Sequence, residues 1–108
     1  MRISKLFWAA VLLLTTPAAA TSQGVSPIAC TVTDSGHTIK IFGSNPTAKA
    51  IVCTKAECTA TTTAGNFWLC QIETQRTIPA GASKVPLGSC SGSDQTAASV
   101  KVSALSCN

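Results

Sequence analysis

The chain has 108 residues, a formal net charge of +4, six cysteines, three phenylalanines, two tryptophans and no tyrosine. That length fits one domain, and so small an aromatic inventory excludes a large hydrophobic core. The basic residues are scattered singly with no interleaved aromatics, so a nucleic-acid-binding surface is not expected.

Residues 1–20 have the three parts of a secretory signal. Arg2 and Lys5 supply the positive start, Leu6 to Leu14 form a nine-residue apolar run, and Pro17-Ala18-Ala19-Ala20 offers the small residues that a signal peptidase needs. Nine apolar residues fall short of the ~20 required to cross hydrocarbon as a helix, so no membrane span is expected in the mature chain. Cleavage after Ala20 would leave residues 21–108 as a single domain. It would also remove two of the eight basic residues, lowering the net charge from +4 to +2.

Beyond that point the chain reads as short extended segments separated by turn signals. Thr31-Val32-Thr33 and His37 to Phe42 flank Asp34-Ser35-Gly36, where the aspartate can bond nearby backbone and the glycine can adopt positive φ, which predicts a hairpin. In its second arm Ile39 and Ile41 point to one face, and Thr38, Lys40 and Phe42 to the other. Gly43-Ser44-Asn45-Pro46 ends that arm, and Ala48 to Thr54 forms the next.

The clearest hairpin joins Thr59–Thr63 to Asn66–Thr74 across Ala64-Gly65. A three-residue loop with Gly65 in the left-handed region pairs Thr62 with Asn66 and sets Cys58 opposite Cys70. Pro79-Ala80-Gly81 predicts another turn. Pro86-Leu87-Gly88 with Ser89 to Ser93 reads as a loop tethered by Cys90, and Ala97 to Cys107 alternates as a last strand. The expected fold is therefore all-β: a small antiparallel sandwich of immunoglobulin-like kind, or a small barrel, with six or seven short strands.

All six cysteines, Cys30, Cys53, Cys58, Cys70, Cys90 and Cys107, lie after the signal segment, so three structural disulfides are expected in a secreted or periplasmic protein. Spacing alone leaves the pairing open. The hairpin register favours Cys58–Cys70, with Cys30–Cys107 joining the ends and Cys53–Cys90 remaining. A turn at Thr54-Lys55-Ala56-Glu57 would instead set Cys53 against Cys58. Successive gaps of 22, 4, 11, 19 and 16 residues contain no C-x-x-C, and His37 is the only histidine, so no metal, cofactor or redox site is expected.

Asp34, Ser35 and His37 contain the parts of a hydrolytic triad, but three side chains within four residues of one turn cannot converge as a triad does. No catalytic residue is assigned, and the chain is read as non-enzymatic. Thr59 to Thr63 could display a flat row of hydroxyls, although threonine is also simply a good strand former. Phe67 and Trp68 are neighbours on one strand and must face opposite ways, so one of them is expected in a surface contact patch. These features favour a monomer that touches an unidentified protein or glycan. A small inhibitor or effector of extracellular hydrolases, presenting Arg76 or Lys84 on a loop, is the alternative.

Overall fold

A computed structural model describes residues 26–108, so the signal segment assigned to residues 1–20 lies outside the described residues. Seven strands form two antiparallel sheets, as the composition and turn spacing predict. The first sheet has the order β1-β2-β6, from Ile28–Thr33, Thr38–Gly43 and Val85–Ser91. The second is built on β3 (Ile51–Thr62). One side of β3 carries β7 (Ala97–Cys107), and the other carries β4 (Phe67–Gln71) followed by β5 (Arg76–Ile78). An immunoglobulin sandwich has the same two-layer form, but its third strand pairs with the sixth. Here β3 pairs with β4, β5 and β7, so the connections are different.

The first hairpin forms as its turn residues require. Thr33 faces Thr38, and Asp34, Ser35 and Gly36 all have positive φ. A Cβ on Gly36 would lie 2.7 Å from Thr96 Cγ2, so glycine serves both the turn and the packing of a distant loop. Ile39 and Ile41 point inward and are fully buried, while Lys40 and Phe42 occupy the outer face. The second hairpin also has the expected register. Gly65 has φ 87°, the Thr62 amide donates to the Asn66 carbonyl, and Cys58 faces Cys70.

Three local expectations are corrected. Thr54–Glu57 is not a turn: it lies within the continuous strand β3, because β7 runs beside β3 from Cys107 to Ala97 and absorbs the irregularities as register shifts. Pro86 to Ser91 is strand rather than loop. Pro86 is tolerated on the edge strand β6, where its missing N–H breaks no central ladder, and the register shift opposite Ile41/Phe42 accommodates Leu87. Arg76–Ile78 forms a short strand of its own, fixed by pairing with β3.

All three expected disulfide pairings are also corrected. The bonds are Cys30–Cys58, Cys53–Cys107 and Cys70–Cys90, with no free cysteine among the described residues. Cys58 and Cys70 are cross-strand neighbours, but both point into the space between the sheets. Cys30 on β1 and Cys90 on β6 face them there, so each bond staples one sheet to the other. The expected Cys30–Cys107 and Cys53–Cys90 fail because Cys53 and Cys107 oppose each other within a single sheet. The chain crosses to that second sheet between β2 and β3, so these two successive strands do not pair.

Asn45 organises this crossing. It is fully buried, and its side-chain amide donates to the carbonyls of Lys49 and Ile78 at 2.7 and 3.0 Å. Its side-chain oxygen accepts from the Thr47 amide and hydroxyl. The 44–50 connection thus takes its hydrogen bonds from one side chain where the ladder stops.

Peptide mapping under non-reducing conditions should recover Cys30–Cys58, Cys53–Cys107 and Cys70–Cys90, and no Cys58–Cys70 peptide. Replacing Cys70 and Cys90 together with alanine should lower the unfolding free energy by about 2–4 kcal/mol in denaturant titration. Asn45→Ala leaves the Ile78 carbonyl and the Thr47 amide without their side-chain partner, and should cost about 2–4 kcal/mol in the same measurement.

Candidate contact face

Strand alternation divides β4 into two sides with opposite character. Trp68 and Cys70, followed by Ile72, face the core, with Trp68 only 9% exposed and packed near Gly92. Phe67 and Leu69 face outward, 71% and 56% exposed, with exposed Gln71 on the same side. The expectation that one of Phe67 and Trp68 is displayed is thereby resolved in favour of Phe67. Trp68 is corrected from a contact residue to a core residue, and Leu69 takes its place in the patch. The alternating pattern itself groups Leu69 with Phe67; only the packing of the sheets decides which group is buried.

Across the outer face, Phe67 neighbours Thr61 and Leu69 neighbours Thr59 on β3. Thr59 faces Lys101 and Thr61 faces Ser99 on β7. A short hydrogen-bonded chain crosses the centre of this face. The Thr59 hydroxyl donates to Ser103 at 2.7 Å, and the Ser103 hydroxyl donates to the Glu57 carboxylate at 2.9 Å. Of the threonine run, Thr61 and Thr63 are exposed, Thr59 is half-buried and tied to Ser103, and Thr62 turns inward to accept from the Asn66 amide. The result is a polar field beside an apolar margin, rather than a uniform row of hydroxyls.

The strand bearing Phe67 and Leu69 is also the least protected edge. Exposed edges are ordinarily blunted by charge, proline, bulges or covering elements. Here β5 carries Arg76 and ends before Pro79, β6 carries Pro86 and a register shift, and β7 carries Lys101 and three register shifts. The remaining edge strand, β1, packs more extensively against β7 than β4 does against β6. In β4, Phe67 to Gln71 contains no charged residue and no proline, and its ladder with β3 has no register shift.

The other candidates do not assemble as reactive groups. His37 Nδ1 lies 2.7 Å from the Gln95 carbonyl, which can only accept, so this nitrogen donates and the ring ties the first hairpin to the 92–96 loop. The Asp34 contribution to His37 is a backbone one: its carbonyl accepts from the His37 amide. Arg76 lies in the β3–β5 ladder opposite Cys53, and Lys84 has φ 53°, so neither lies on the extended, unpaired segment that the inhibitor alternative requires. No group of three or more potential metal ligands occurs among the described residues, and none of their helices is long and apolar enough to cross a membrane.

With this geometry in hand, comparison with known proteins adds no relative: no family model, curated protein or solved structure matches the chain. Phe67→Ser and Leu69→Ser should change the unfolding midpoint little, because both side chains are already in water. Trp68→Ala should cost about 3–5 kcal/mol. Paired denaturant titrations of the three variants would check the assignment.

Proposed function

We propose that this protein is a non-enzymatic, exported β-domain that acts by surface contact with a protein or glycan through β4 and the adjoining outer face. The observation that carries this reading is the exposure of Phe67 and Leu69 together on an edge strand without charge, proline or bulge. Two adjacent apolar side chains on a small stapled domain leave area available for binding, and the open backbone edge offers a row of main-chain hydrogen bonds. That combination suits an extended segment of a partner protein added beside β4. A sugar could use the same face differently, stacking on Phe67 beside Gln71 and Thr61.

The three disulfides fit an extracellular or otherwise non-cytosolic location. Secretion, or residence in a periplasm, follows if residues 1–20 act as the signal they resemble. Catalysis plays no part in this proposal.

A binding screen against extracellular proteins and glycan arrays, using the oxidised protein, tests the reading. Phe67→Ala and Leu69→Lys should each weaken the recovered interaction at least tenfold while leaving the thermal unfolding midpoint near that of the wild type. Wild-type binding by both correctly folded variants would overturn it.

A further inference from the structure

A second candidate site lies away from the β4 patch, on the outer face of the first sheet. Lys40 and Phe42 stand there on β2 and face Ser89 and Pro86 respectively on β6. Together with Arg76 and Leu87 they line a groove of about 460 Å³. Its walls contain two cations, one half-buried aromatic ring and a proline, and no acidic side chain.

Arg76 is the unusual member. It arrives from the other sheet, and strand alternation puts it on the same side of β5 as fully buried Ile78, the side turned toward the first sheet. A guanidinium that starts from the core-facing side of a strand must either pair or reach water. Here it remains exposed and reaches the groove beside β6. The adjoining hollow, which shares Arg76, is also lined by Glu73, a negative charge near the same cation.

We propose that this groove binds a carboxylated sugar, of uronic-acid type. Such a ligand has three parts that match the lining. Its carboxylate meets Lys40 and Arg76, with charge-assisted hydrogen bonds in which the Arg76 fork can be bidentate. The apolar C–H face of its ring lies on Phe42 and Pro86. Its ring hydroxyls reach the Ser89 hydroxyl. A neutral sugar leaves both cations unused, and a simple inorganic anion leaves the Phe42 and Pro86 surface bare. The groove is within the usual volume range of small-molecule sites. It requires neither Phe67 nor Leu69, so the two sites succeed or fail separately.

The test uses the oxidised protein with a galacturonate trisaccharide, its neutral galactose counterpart and a glutamate tripeptide, each followed by amide chemical shifts and calorimetry at low and moderate salt. The acidic sugar should bind with a dissociation constant on the order of 1 mM or tighter, shift the amides around Lys40, Phe42 and Ser89, and weaken as salt rises. Arg76→Gln, Lys40→Gln and Phe42→Ala should each reduce affinity at least fivefold. Glu73→Gln should increase it by removing a negative charge near the carboxylate site, and Phe67→Ala should leave it unchanged. Thermal unfolding of each variant reports whether its fold is intact. Equal binding of the neutral sugar or the glutamate peptide, absence of shifts in the groove, or undiminished binding by a folded Arg76→Gln protein would each overturn the proposal.

Discussion

The covalent joining of the two sheets at their cysteines is the constraint on which the remaining structure depends. Cys30–Cys58 and Cys70–Cys90 each join one sheet to the other, with Cα atoms 6.1 and 5.8 Å apart, the ordinary span of a disulfide. Beside these bonds small side chains fill part of the interior. Ala56 and Ala60 on β3 and Ala97 on β7 are buried core residues. Larger groups, Ile39, Ile41, Ile78, Leu87 and Trp68, complete the same core. A chain poor in aromatics thus fills its core with alanines and a few larger side chains, and the covalent bonds between the sheets add stability that so small a core does not supply.

The third bond has a different physical role. Cys53–Cys107 links two neighbours within one sheet, across 54 residues of chain, and fixes the end of β7 against β3. Backbone hydrogen bonds in both directions between Val52 and Asn108 extend the same ladder to the terminus. Because β3 pairs with every other strand of its sheet, tying it to β7 on one side and to β1 through Cys58 steadies the outer face on which Phe67 and Leu69 stand. The exposed apolar strand is therefore presented from a rigid support, which lowers the ordering cost of binding.

The two candidate surfaces follow from how the edges of this sandwich are finished. On β4, absence of charge and bulge leaves both side chains and backbone open to a partner. At the boundary of β5 and β6, the shift at Leu87 and the reach of Arg76 across the sheets produce a basic, partly aromatic groove. Edge strands have one free side by construction, so residues there are under less packing demand than Ile39 or Cys58. They are free to take on contact roles.

The local pattern of the chain was sufficient for the hairpins at Asp34–Gly36 and Gly65, for the register that sets Cys58 beside Cys70, for the last strand from Ala97 to Cys107, and for the opposite facing of Phe67 and Trp68. Each depends on turn chemistry or on the two-residue period of a strand, which neighbouring residues carry themselves. Tertiary structure alone decided the disulfide partners, because inward-facing cysteines on adjacent strands bond to whatever the opposite sheet brings above them. It decided that β3 runs unbroken through Thr54–Glu57, since β7 supplies a continuous ladder, and that Pro86 and Gly88 lie in a strand, since β2 supplies theirs. It also decided that Trp68 is core and Phe67 surface. Alternation separates the two faces of a strand, but only the second sheet determines which face loses its water.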